Sequence, residues 1–210
     1  MIDKILSNLD WLGHDCFRLR AAGQVVYFDP FQLSGDLPPA DLILVSHMHY
    51  DHFSPADIEK IRQESTLIIT VPEAAAKLSG NVKAMQPGQS ATSGPFTIEA
   101  VRAYNTNKKF HPQANNWLGF ILTVEGVRIY HAGDTDLIPE MANYQADIAL
   151  LPVSGTYVMT ADEAAQAALA INPKVAVPMH FGSIVGEQSD AERFAAKLVN
   201  KITVHIPRKK

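Results

Sequence analysis

The chain has 210 residues, 47% of them hydrophobic and 19% charged. That is enough to bury a sizeable core and short for several independent ones, so one domain over residues 1–210 is expected. A formal net charge of −4 argues against the broad basic surface of a nucleic-acid binder, and no apolar run reaches the ~18 residues of a membrane span.

In chain order, short runs rich in Val, Ile and Leu and bounded by Gly, Pro or Asp predict strands over 25–29, 41–46, 66–71, 96–103, 119–124, 127–131, 147–152 and 175–179. Helices are marked by their caps. Ser54 before Pro55, with Asp57 at the third helical position, opens one. TADE (160–163) and SDAE (189–192) are S/T-x-x-E capping boxes ahead of apolar residues at helical spacing, and Asn172-Pro173 ends the first of these two helices. Loops are expected over 86–95 and 104–116. Cys16 is the sole cysteine, which excludes an intrachain disulfide. The opening MIDKILSNLD lacks the basic-then-apolar pattern of a signal peptide, so a cytoplasmic protein is expected.

A repeat runs beneath these elements. ADLILV at 40–45 returns as ADIALL at 146–151, an offset of 106. The same offset carries Ser54 onto Thr160 and Val71-Pro72 onto Val177-Pro178. Each copy is preceded by an aspartate at a strand end, Asp29 and Asp134. Two similar β-rich halves with helices on one side of each would pack sheet on sheet, giving a four-layer αββα sandwich of the α/β class.

The segment SHMHYDHFSP (46–55) spends three of the chain's eight histidines on one loop. Its counterpart under the offset, SGTYVMT (154–160), has none, so the backbone of this fold does not require them. Imidazole and carboxylate are good ligands for Zn²⁺ and similar ions. His47 and His49, at alternate positions leaving a strand, can point their rings the same way, while Asp51 and His52 approach from the turn toward the Ser54 cap. Asp134 and His180 each follow an apolar strand, where α/β sheets place their ligands.

SHMHYDH resembles the HxHxDH signature of the metallo-β-lactamase superfamily. WLGHDCF (11–17), FDP (28–30), GFILTVEGVRIYHAGDTD (119–136), DIALLPVSG (147–155) and VAVPMHFG (175–182) extend the resemblance over most of the chain. Their order is similar to the branch containing L-ascorbate-6-phosphate lactonase and N-acylphosphatidylethanolamine-hydrolysing phospholipase D. The resemblance implies the αββα fold and a binuclear metal site at one edge of it. His47 and His49 match ligands of a first ion, Asp51, His52 and His180 ligands of a second, and Asp134 the carboxylate that bridges them.

One position departs from the pattern. Relatives place a third histidine for the first ion before the GF strand, and Asn105 stands at the corresponding place here, with His111 as a substitute within the same loop. An incomplete first site is therefore expected. His14 and Thr135 are candidates for orienting hydrogen bonds near the centre.

The function this implies is hydrolysis of an ester, lactone or phosphodiester in a small molecule, with a metal-bound hydroxide as nucleophile held by Asp51 and Asp134. Zn²⁺ is the expected ion, with Mn²⁺ or Fe²⁺ as alternatives, in one or two copies. The rival is a metal-binding protein of the same fold without hydrolytic activity, which the Asn105 substitution would favour. Lys108 and Lys109, in the polar and aromatic loop 104–117, are the cations available to an anionic substrate. No nucleic-acid or membrane partner is expected.

Overall fold

Short apolar strands account for most of the regular structure in the computed structural model, which describes residues 1–210. Six form one sheet in chain order: β1 (Leu9–Gly13), β2 (Cys16–Ala21), β3 (Gln24–Phe28), β4 (Leu42–Leu44), β5 (Leu67–Thr70) and β6 (Val82–Ala84). Seven form the other: β7 (Ser90–Ser93), β8 (Phe96–Arg102), β9 (Leu118–Val124), β10 (Val127–His131), β11 (Ile148–Pro152), β12 (Val175–Met179) and β13 (Thr203–Val204). Its strands, too, lie side by side in chain order.

Both sheets change character midway. β1–β3 pair antiparallel and β3–β6 parallel. Likewise β7–β10 pair antiparallel and β10–β13 parallel. The central parallel strands β4, β11 and β12 are buried along their whole length, which is why they read as unbroken apolar runs. Helices α2 (Pro55–Ile61) and α3 (Pro72–Ala75) accompany the first sheet, and α4 (Ala161–Ile171) and α5 (Gln188–Leu198) the second. A short α1 (Ile2–Ser7) leads into β1. The result is the expected four-layer αββα sandwich. Its core is one cluster of 61 buried side chains, and each large aliphatic or aromatic member stabilises the fold by about 1.5–3 kcal/mol.

The repeat has the local structure it predicts: strand, loop, capped helix and parallel strand occur in both 40–72 and 146–178. Ser54 accepts the Asp57 N–H at the start of α2, and Thr160 accepts the Glu163 N–H at the start of α4, where Glu163 completes a capping box. Asp41 and Asp147, one offset apart, do the same work: each accepts a backbone N–H from the preceding strand, Val25 at 2.8 Å and Arg128 at 3.0 Å.

Three details differ from expectation. The α5 box is Glu187 with Asp190, two residues earlier in the chain than SDAE, because Glu187 has the extended cap conformation. The 86–95 stretch holds β7 rather than loop alone. β1 and β2 lack a clean apolar pattern because Asp10 and Arg18 face each other across the pair, both buried, with Arg18 donating to Asp10 Oδ2 at 2.9 Å. A buried charge needs such a partner, and the pairing of distant residues hides that from a local reading.

Candidate metal centre

Most of the candidate residues leave the C-terminal ends of parallel strands at one edge of the sandwich. Asp29 follows β3, the His-rich loop follows β4, Asp134 follows β10 and His180 follows β12. His14 comes from the β1–β2 turn and His111 from the β8–β9 loop. Sharp turns aim several of them: His14 (φ 52°), Asp29 (φ 40°) and His180 (φ 60°) all lie in the left-handed region that side chains rarely adopt. Gly133 lets the Asp134 turn close, since a Cβ there would fall 2.7 Å from the Leu118 carbonyl oxygen.

Two sets of side chains meet at Asp134. In the first, His49 Nδ1 lies 3.0 Å from His47 Nε2 and 3.2 Å from His111 Nε2, and His111 Nε2 is 3.0 Å from Asp134 Oδ2. In the second, His52 Nε2 and His180 Nε2 each lie 3.3 Å from Asp134 Oδ1, with Asp51 Oδ2 3.9 Å from His52 Nε2. The six residues expected to share a pocket are thus brought together, and His111 joins them.

Asn105 is not where a ligand stands. Its Oδ1 accepts the His111 backbone N–H at 3.0 Å and lies 3.1 Å from His111 Nδ1, while its Nδ2 donates to the Tyr157 carbonyl at 2.8 Å and to Asp136. The amide is fully used in folding the loop, and the imidazole it positions fills the place expected to be deficient. Of the two loop candidates, His111 and not Asn105 is the one that faces His49 and Asp134. Thr135 is corrected too: its hydroxyl accepts from the Tyr104 N–H and donates to backbone carbonyls of Tyr104 and Asp136, so it ties two loops together away from the centre. His14 behaves as expected, with Nε2 3.1 Å from Asp51 Oδ2.

The imidazoles are oriented from behind. His47 Nδ1 lies 2.9 Å from Ser46 Oγ, His52 Nδ1 2.8 Å from Asp29 Oδ2, His180 Nδ1 2.9 Å from Ser154 Oγ, and His111 Nδ1 as above. With an oxygen taking the Nδ1 proton, each Nε2 lone pair is turned inward, the arrangement that orients a metal-ligating histidine. Asp29 anchors two of them, since it also accepts from the Ser46 hydroxyl at 2.6 Å. Asp29 and Asp15 were not among the expected site residues. FDP and LGHD contain them, but nothing local says that Asp29 faces Ser46 and His52, or that Asp15 is wholly buried with neither oxygen hydrogen-bonded.

The electrostatics follow from burial and proximity. Burial opposes charge on Asp134, but His180 and His52 outweigh it and hold its carboxyl well below the usual range. Burial likewise works against protonated His52 and His180, and Asp134 foremost, aided by Asp29 at His52 and Asp15 at His180, keeps both protonated to higher pH than a free histidine. His47 goes the other way, pushed well below by burial and by His52. Burial also lowers His14 to about 4, against the pull of Asp51.

The donor set fits a divalent cation. Around an ion with bonds of ~2.0–2.1 Å, tetrahedral ligand atoms lie roughly 3.3 Å apart; Asp134 is 3.0–3.3 Å from His111, His52 and His180, and 4.0 Å from His47. His52 Nε2, Asp134 Oδ1 and His180 Nε2 are buried and make no hydrogen bond of acceptable geometry. Each such group costs about 1–3 kcal/mol, whereas a structural zinc ion contributes about 10–16 kcal/mol to a site of this kind. The binding term wins.

Two facing sheets with a histidine–aspartate centre at their strand ends define a metallo-hydrolase of the metallo-β-lactamase class. Residues 8–180 match the model of the beta-lactamase superfamily domain, and the chain belongs to that family. It is 32% identical over 217 residues to a UPF0173 metal-dependent hydrolase of Methanoculleus marisnigri, covering 95% of this chain and 92% of that one. A UPF0173 metal-dependent hydrolase of Thermoplasma acidophilum is 35% identical over 205 residues, covering 89% and 88%. The crystal structure of a metal-dependent hydrolase from Parabacteroides distasonis is similar with a TM-score of 0.86 at 36% identity, covering 96% and 92%. The protein is a metal-dependent hydrolase, which sets aside the alternative of a non-hydrolytic metal-binding protein. No helix is long and apolar enough to cross a membrane.

Proposed function

We propose that the chain holds two ions, one by His47, His49, His111 and Asp134, the other by Asp51, His52, His180 and Asp134, and hydrolyses an ester, lactone or phosphodiester bond in a small molecule. The observation that carries this reading is the division of Asp134, whose Oδ2 faces one histidine set and whose Oδ1 faces the other. Zn²⁺ suits the nitrogen-rich donor set best, with Mn²⁺ or Fe²⁺ as alternatives. When bound, such ions lower the pKa of water toward neutrality and polarise the oxygen of the scissile bond.

The protein's own groups do the rest. Asp51 lines the cavity beside the centre, and its Oδ2, the oxygen that faces His52, is oriented by His14 Nε2 at 3.1 Å. Asp134 stays ionised and supplies fixed negative charge between the two sets. Asp29, Ser46, Ser154 and Asn105 hold the imidazoles so that little reorganisation accompanies reaction. The cytoplasmic assignment is kept as part of the proposal, supported by a single buried cysteine whose thiol burial raises to about 12.

The experiment is metal analysis of the purified full chain alongside assays on p-nitrophenyl acetate, a simple lactone and bis(p-nitrophenyl) phosphate after loading with Zn²⁺, Mn²⁺ or Fe²⁺ in turn. Two ions per chain with turnover of at least one substrate is the expected result. One ion at most, or no turnover with any of the three ions, would overturn the reading.

A further inference from the structure

We propose that the cavity beside the histidine centre selects substrates whose non-reacting part is an uncharged aliphatic or aromatic acyl group, with Tyr50, Phe110, Tyr157, Ile184 and Val185 as its specificity-determining wall. This rests on the hydrolytic reading of the same site. The cavity has a volume of about 260 Å³ and opens beside His49, Asp51, His111 and Asp134, so a group seated in it adjoins the reacting centre.

Exposed apolar residues are the first observation. Seven large hydrophobic side chains of this chain are exposed, and four of them stand around this one cavity: Tyr50 (67%), Phe110 (51%), Tyr157 (41%) and Ile184 (39%). Single exposed apolar residues are ordinary on a protein surface, but gathered at the mouth of a site they mark a ligand surface.

The wall is also built, not incidental. Phe110 and Tyr157 come from different loops and meet edge to face, with ring centroids 4.4 Å apart at 67°. Tyr157 holds a left-handed backbone (φ 68°), which costs a bulky residue energy, and its carbonyl is fixed there by Asn105 Nδ2. The same Asn105 positions His111, so the wall and the centre are set by one side chain.

Charge is the third observation. No lysine or arginine lines the cavity, whose charged lining is Asp51 and Asp134. Lys108, the cation on the same loop as Phe110, donates instead to Asp136 at 2.6 Å and to Asn107. An anionic group carried beyond the scissile bond would lie against the aromatic wall with no lysine or arginine to pair with, losing hydration without a partner. An acyl chain there would bury apolar surface.

The test is calorimetric binding of hexanoate and adipate to the Zn²⁺-loaded full chain. The two acids have the same carbon count, and adipate alone ends in a second carboxylate. Hexanoate should bind about tenfold tighter or more, and Phe110→Ala should lose about tenfold for hexanoate with little change for acetate. Ile184→Lys should shift the preference toward adipate by about tenfold. Adipate binding as well as hexanoate, or neither acid binding, would overturn the proposal. Hydrolysis of p-nitrophenyl acetate is read separately. Its absence, together with that of lactone and phosphodiester turnover, alongside a clear hexanoate preference would refute the hydrolytic mechanism and leave the apolar pocket standing, whereas turnover without the preference would do the reverse.

Discussion

The two halves of the molecule share a local plan and divide the chemistry unequally. Each has a strand ending in an aspartate, then strand, loop, capped helix and parallel strand. Asp29 and Asp134 occupy matching strand ends, yet Asp29 turns its carboxylate inward onto Ser46 and His52 while Asp134 faces both histidine sets. The loop after β4 carries four candidate ligands; its counterpart after β11 carries Ser154, which orients His180, and Tyr157 of the cavity wall. A duplicated scaffold fixes where side chains emerge. Side-chain identity does the rest: the first half carries four candidate ligands on one loop, whereas the second supplies Asp134, His180 and His111 from three separate loops, together with Ser154 and most of the cavity wall.

The sharpest break of that comparison is at the two aspartates. Asp134→Ala should empty both histidine sets and lower kcat/KM by on the order of 10³-fold or more, because it removes the group both share. Asp29→Ala should keep ions bound but weaken them about 10–100-fold, the usual cost of losing a partner that orients a ligand. Metal analysis and steady-state kinetics on the two variants check this, and equal losses would show that the halves are not functionally distinct.

Proton competition comes next. In the ion-free protein His52 and His180 stay protonated above the ordinary value of 6.5. The stability this contributes is present below 6.5 and lost as pH rises through the raised values. An ion needs both rings neutral, so its apparent affinity should rise with pH over the same window, by about tenfold per unit for each proton displaced, and level off above it. Titrations in buffers of different ionisation enthalpy would count the protons released; a flat pH profile would contradict the assignment of these two rings.

Asn105 gives a smaller effect that separates ligand from support. Asn105→Ala should reduce affinity at the His47–His49–His111 set by about 10–100-fold and leave the other set within a few-fold. Asn105→His should also lose affinity, since the amide holds His111 and Tyr157 rather than facing the centre. Tighter binding in that variant would restore residue 105 as a ligand position.

The smallest effects are at the matched caps. Ser54→Ala and Thr160→Ala should each cost about 1 kcal/mol of stability, seen in denaturant unfolding of the ion-free protein. The two costs should be similar, because each hydroxyl also donates to the carboxylate at its third helical position, Ser54 to Asp57 at 2.8 Å and Thr160 to Glu163 at 3.0 Å. Neither should change hydrolysis beyond what stability explains.

Local order was legible in the sequence wherever a residue's role depends on its near neighbours. Apolar runs located β3, β4, β5 and β8–β12, caps located α2 and α4, and a common offset revealed the paired halves, because burial period and capping act over a few residues. His47, His49, Asp51, His52, Asp134 and His180 were legible for the same reason, as ligand-type residues at strand ends. His111 was not singled out over Asn105, since their exchange of roles depends on how Asp136, Tyr157 and Thr135 fasten the 104–117 loop from 30 to 50 residues away. Asp29, Asp15 and the buried Asp10–Arg18 pair escaped for a related cause: a carboxylate's partner is set by which strands lie side by side. That pairing is a long-range choice paid in chain entropy, and no periodicity records it. The ligand inventory was thus written locally, while the assembly of the centre and the apolar wall over it belongs to the tertiary structure.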